Sequence, residues 1–178
     1  RLRRAGFRTV NVPYSQAVHS LEEVSSDLRR RAALTGGGRY HLVGHSLGAV
    51  IIRHGFQAGY PPGLGRVVML APPNAPPHLA LKLKSFAPYR WFCGDSGRRL
   101  ADPEFYAALP VPSVDFAVLA GARGTRLNSP EPNDGVVTVA ETRLEGMKAF
   151  KVLRRTHTFI MNAPETAPLV ASFLKTGS

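Results

Sequence analysis

Three residues of this chain, Ser46, Asp134 and His157, are of the types that a nucleophilic hydroxyl, an orienting acid and a base require. A serine hydroxyl attacks poorly until a base takes its proton and an acid orients that base. Ser46 sits in Gly44-His45-Ser46-Leu47-Gly48, a G-x-S-x-G pentapeptide that closes the run Tyr40-His41-Leu42-Val43. The pentapeptide also arises in ordinary glycine-rich turns, so its surroundings decide the reading. Leu42-Val43 reads as the end of a buried strand and Leu47 to Phe56 as a mostly buried helix. Ser46 is therefore expected at the apex of a sharp strand-to-helix turn. Gly44 and Gly48 fall two residues either side, where a side chain is expected to collide with the crossing elements.

The other two groups come later, each beyond a strand-like run. Val114 to Gly121 is apolar and is followed by a polar loop holding Asn133-Asp134-Gly135. Ala149-Phe150-Lys151-Val152-Leu153 reads as a further strand, with Arg154-Arg155-Thr156-His157-Thr158 directly after it. Loops beyond the carboxyl ends of strands are where open α/β sheets place their chemistry. Asp134-Gly135 is also a good turn dipeptide, and Glu131 is the nearest substitute acid. Asp115 begins its strand and fits worse. His157 is the one histidine that follows Asp134: His19, His41, His45 and His54 precede or flank Ser46, and His78 precedes the acid-bearing strand. His45 neighbours the serine, but a residue adjacent on a sharp turn is expected to point elsewhere.

The elements that must position these groups alternate as a parallel sheet requires. Phe7 to Val12 is expected as a strand. Ser20 and Glu23 have capping-box spacing, and Leu21, Val24 and Leu28 form a helical stripe that ends at Gly36-Gly37-Gly38. Gly65 to Leu70 reads as the strand after the Leu47–Phe56 helix, which with Tyr40–Val43 and the Ser46 turn forms an elbow, and Thr166 to Leu174 as the last helix. Residues 72–113 interrupt the rhythm with eight prolines and the aromatic cluster Phe86, Tyr89, Trp91 and Phe92. This stretch reads as a cap-like insertion whose apolar residues hold an acyl chain or pack a core.

Gly44-His45-Ser46-Leu47-Gly48, Val67-Val68-Met69-Leu70-Ala71-Pro72-Pro73-Asn74, Asn133-Asp134-Gly135-Val136-Val137 and Thr156-His157-Thr158 together make the chain resemble α/β-hydrolases of the bacterial lipase and esterase type. The pattern is similar to that of triacylglycerol lipases and GPI inositol-deacylase-like proteins. The resemblance implies a mostly parallel sheet flanked by helices and a carboxylic ester hydrolase using Ser46, His157 and Asp134. It implies no metal and no organic cofactor, and it makes the Leu47 N–H an oxyanion donor. The same parts could pass the acyl group to an alcohol, as an acyltransferase does. The chain departs from relatives at Ala75-Pro76-Pro77, where they often carry Gly-Ser. It also lacks their opening strand ending in His-Gly, whose loop supplies a second oxyanion donor. The expectation is thus one hydrolase domain over residues 1–178 that lacks its N-terminal strands and cleaves carboxylic esters, the alternative being a severely impaired or inactive one without the second oxyanion donor. Phe7–Val12 is expected either one strand-width away from Tyr40–Val43 or paired directly with it.

Composition fits one domain with a substantial core: 178 residues, 44% hydrophobic. The net charge of +11 invites a nucleic-acid reading, but the basic residues lie in short scattered clusters. With 8% aromatics not interleaved among them, stacking platforms for bases are absent. A solvated basic surface is expected, facing a small-molecule or lipid ester rather than nucleic acid. The single Cys93 excludes an internal disulfide and has no metal-ligand spacing. No apolar run is long enough to cross a bilayer. Compartment and oligomeric state have no signature in these residues.

Overall fold

The computed structural model describes residues 1–14, 19–77, 102–124 and 129–178. In chain order the elements are α1 (Leu21–Ala33), β1 (Tyr40–His45), α2 (Leu47–Gly55), β2 (Leu64–Leu70), α3 (Pro103–Ala108), β3 (Phe116–Gly121), β4 (Ala149–Leu153) and α4 (Thr166–Thr176). The four strands form one parallel sheet in the order β1-β2-β3-β4. Parallel neighbours need crossover connections; α2 lies in the one from β1 to β2 and α3 in the one from β2 to β3, while no described helix lies between β3 and β4. All six residues of β3 are buried, as expected of a central strand covered on both faces.

Period-two alternation sorts the strand side chains between two layers. Val68 and Leu70 of β2, with Ala117 and Leu119 of β3, pack with Val170, Phe173 and Leu174 of α4. Val67, Met69, Phe116 and Val118 point the other way and meet Ala49 and Ile52 of α2. Beyond α2 a further cluster joins Leu21 and Val24 of α1 to Val50, Ile51, Tyr106 and Leu109. Each fully buried Val or Phe contributes about 1.5–3 kcal/mol relative to exposure. The capping box at α1 is formed: Glu23 N–H donates to Ser20 Oγ, and Ser20 N–H donates to the Glu23 carboxylate.

Phe7–Val12 corrects the sequence expectation, for it is not a strand. A strand is defined by a ladder, and among the described residues β1 pairs only with β2. Direct pairing with Tyr40–Val43 therefore does not occur. Phe7 instead packs against the α4 side of the core and sets its ring edge-on to His41, centroids 6.2 Å apart. Within residues 72–113, the aromatic cluster Phe86, Tyr89, Trp91 and Phe92 lies outside the described residues. The later part of that stretch packs inward, with Tyr106 and Leu109 both buried.

Arg53 on α2 is 2% exposed, and its guanidinium is met by oxygens from two other segments. It donates to the carbonyls of Pro110 (3.1 Å), Leu109 (2.7 Å), Tyr106 (3.3 Å) and Asn74 (3.4 Å), and to Asn74 Oδ1 at 3.3 Å. Burial lowers its pKa to about 10, which leaves it charged at neutral pH. Asn74 in turn donates through Nδ2 to the Thr142 carbonyl at 2.8 Å. Arg53→Met keeps the bulk but strands several buried carbonyls, each worth about 1–3 kcal/mol when left without a donor. A stability loss of about 3 kcal/mol or more is expected in urea titration. An unchanged midpoint would show that these carbonyls find other donors.

Candidate active site

Ser46 joins β1 to α2 with φ 53° and ψ −121°, a conformation that side-chain-bearing residues rarely adopt. Strain of this kind amounts to roughly 1–3 kcal/mol and persists only where the surroundings enforce it. Here the Ser46 N–H donates to the Leu70 carbonyl at 2.9 Å, and its carbonyl accepts from Ala49 N–H at 3.0 Å. Gly44 is required for the turn, since a Cβ there would stand 2.6 Å from the Gly48 carbonyl carbon. Gly48 departs from expectation. Among the described residues a Cβ there meets only the Tyr14 hydroxyl, at 3.9 Å. The turn leans on one glycine, because the Gly48 backbone fills the space that a Cβ on Gly44 would need, whereas among the described residues a Cβ on Gly48 meets no backbone atom outside its own helix.

His157 comes to this apex from 111 residues away, with Nε2 2.8 Å from Ser46 Oγ. Its Nδ1 lies 2.8 Å from Asp134 Oδ2. All three are buried: Ser46 is 4%, Asp134 2% and His157 6% exposed. Asp134 is held from behind, as Oδ1 accepts the N–H groups of Val136 and Val137, both at 2.9 Å. The His157 N–H also donates to the Asp134 carbonyl at 3.0 Å. With Oδ2 acting as acceptor, Nδ1 carries the proton and Nε2 presents a lone pair to the Ser46 hydroxyl. The structure thus brings Ser46, His157 and Asp134 into one hydrogen-bonded chain. Glu131 is exposed and takes no part in that chain, and Asp115 is paired with Lys148 at 3.9 Å. Leu47 opens α2, where the first N–H groups of a helix have no acceptor within it.

Two supports had no local signal in the sequence. Gly121 ends β3 where a Cβ would lie 2.7 Å from Asp134 Cβ and 2.6 Å from the Arg155 carbonyl. Neither neighbour is a flexible side-chain tip, so Gly121→Ala is expected to lower stability by about 1–3 kcal/mol in urea titration. No change would show that the loop holding Asp134 yields freely. His45, set aside from the sequence as pointing elsewhere, has its bond with the backbone of His157, and it is His157 that meets the Ser46 hydroxyl. The His45 Nε2 meets the His157 backbone carbonyl at 2.9 Å, and the two imidazole centroids are 5.1 Å apart.

Burial lowers the His45 pKa to about 4, and nearby His157 pushes the same way. The His157 carbonyl and Asp134 oppose them. Below about pH 6.5 the unfolded chain binds a proton that the folded chain refuses until about pH 4. This residue therefore costs stability progressively as pH falls through that window and has no such effect above it. In urea titrations at pH 7 and pH 4.5, the unsubstituted chain is expected to lose more stability than His45→Gln. Equal losses would place the His45 pKa at its ordinary value. Among the described residues, no three His, Cys, Asp or Glu side chains gather to hold a metal ion. Nor is any described helix long and apolar enough to cross a membrane.

A sequence model of the alpha/beta hydrolase family matches residues 2–171. No curated protein matches the chain. The mature lipase BlEst2 of Bacillus licheniformis superposes with a TM-score of 0.65 at 19% identity, over 87% of this chain and 74% of that one. The phospholipase PlaB of Legionella pneumophila gives 0.62 at 18% identity, over 96% and 51%. The metagenomic carboxyl esterase MGS0156 gives 0.70 at 16% identity, over 94% and 65%. At these identities the likeness is one of fold, and the chain spans about half of PlaB's length.

Proposed function

The chain belongs to the alpha/beta hydrolase family, and from that premise we propose that it is a serine hydrolase cleaving carboxylic esters through Ser46, His157 and Asp134. The observation that carries this reading is the hydrogen-bonded chain from Asp134 Oδ2 through His157 to Ser46 Oγ, anchored on a strained turn. Structural neighbours described as a lipase, a phospholipase and a carboxyl esterase support an ester as the substrate. In the proposed reaction His157 Nε2 takes the Ser46 proton as Oγ attacks the ester carbonyl. Asp134 holds the imidazole and stabilises the cation that forms. The Leu47 N–H donates to the oxyanion, and His157 then protonates the leaving alcohol. Water, deprotonated by His157, hydrolyses the acyl-Ser46 ester. No step calls for a metal or an organic cofactor.

A fluorophosphonate probe tests the activation of Ser46 without knowledge of the substrate. The chain is expected to be labelled once, with the added mass on the peptide containing Ser46. Absence of labelling would favour an inactive member of the family.

A further inference from the structure

We infer that His45 is a positioning residue that latches the loop carrying His157 onto the elbow by donating from its Nε2–H to the His157 carbonyl. This inference rests on the proposed reading of Ser46, His157 and Asp134. The backbone of His157 is held at both ends, its N–H by the Asp134 carbonyl at 3.0 Å and its C=O by His45 at 2.9 Å. Its ring is likewise held at both nitrogens, by Asp134 Oδ2 and Ser46 Oγ, each at 2.8 Å. Two of these four bonds lie within the Asp134–His157 unit, and the other two come from consecutive residues of the elbow. Without His45, the imidazole would, among the described residues, be hydrogen-bonded to the elbow only through the hydroxyl that it must deprotonate. That bond is lost whenever Ser46 is acylated, whereas the bond from His45 persists through both half-reactions.

The chemistry of the latch is specific. A carbonyl only accepts, so Nε2 of His45 must carry the proton. Burial and the neighbouring His157 keep the ring neutral at pH 7, with Asp134 and the His157 carbonyl opposing. A neutral donor holds the loop without placing a second cation 5.1 Å from the imidazolium that His157 becomes during reaction. Asparagine would mimic the wrong ring nitrogen; glutamine extends an N–H to about the position of Nε2.

The test compares His45→Phe, which keeps a ring against His157 but removes the donor, with His45→Gln, which retains one. With p-nitrophenyl butyrate, His45→Phe is expected to lose about tenfold in kcat with little change in KM, the effect of one neutral hydrogen bond. His45→Gln is expected to recover most of that loss. Unchanged kcat in His45→Phe, or no recovery in His45→Gln, would overturn the latch. Nitrogen-15 NMR of the unsubstituted chain reads the latch without turnover, and the neutral Nε2–H tautomer of His45 is expected at pH 7. The Nδ1–H tautomer would overturn the latch. Failure of the hydrolase reading has a different sign, no labelling by fluorophosphonate, and the His45 tautomer still decides the latch in that event.

Discussion

Ser46→Ala is expected to bring ester hydrolysis down to background, a loss of about 10⁶ in kcat, and to abolish fluorophosphonate labelling. The substitution removes one oxygen and keeps Cβ, so the strained turn at φ 53° is unchanged in shape. The bonds that impose it, from Ser46 N–H to Leu70 and from Ala49 N–H to Ser46, are backbone bonds and survive. Stability should therefore stay within about 1 kcal/mol, the worth of the Oγ–His157 hydrogen bond. Circular dichroism and a urea midpoint check the fold, and hydrolysis of a p-nitrophenyl ester checks the chemistry. Turnover near that of the unsubstituted chain would remove Ser46 from the nucleophile's role.

The acid and base should separate in a graded way. His157→Ala is expected to fall to the Ser46→Ala level, because members of such a unit act together. Asp134→Asn is expected to lose about 10⁴-fold. Its reason is tautomeric. The amide can keep Oδ1 on the Val136 and Val137 N–H groups, and Nδ2 then faces His157 Nδ1 as a donor. Nδ1 must answer as an acceptor, so the proton moves to Nε2, which then points a donor at the hydroxyl that it should deprotonate. Glu131→Gln should leave activity unchanged, since Glu131 is exposed and outside the hydrogen-bonded chain. Steady-state kinetics of the four variants decides the assignment. Greater damage from Glu131→Gln than from Asp134→Asn would transfer the acid's role to Glu131.

The legible parts of this protein are those whose cause lies within a few residues. The capping box at Ser20 and Glu23 is such a case, as is the run Ala149–Leu153, which forms β4 with the expected bounds. The elbow belongs with them, because a strand, a serine between glycines and a helix are contiguous in the chain. The α/β character follows from the alternation of these local patterns. Position after two strand-like runs, with the chain order that the family resemblance implies, nominated Asp134 and His157, although both are ordinary loop residues by composition.

What the amino-acid order by itself determined is therefore the set of local elements and the residues offered for chemistry. The tertiary structure decided which of them have partners. Phe7–Val12 has strand-like alternation yet forms no strand, because a ladder needs a neighbour and the described β1 pairs on one side only. Gly44 and Gly48 look equivalent in the pentapeptide, and only the close approach of the Gly48 and Ala49 backbone to Gly44 makes one of them indispensable. Nothing near Arg53 in the sequence announces that the carbonyls of Asn74, Tyr106, Leu109 and Pro110 close around it. His45 gains its role from a carbonyl 112 residues away. Backbone conformation is governed by steric and hydrogen-bonding preferences of near neighbours, which the sequence displays directly. Hydrogen bonds between distant segments depend on how whole elements pack, and that packing is set by the apolar faces of the sheet together rather than by any residue near the bond.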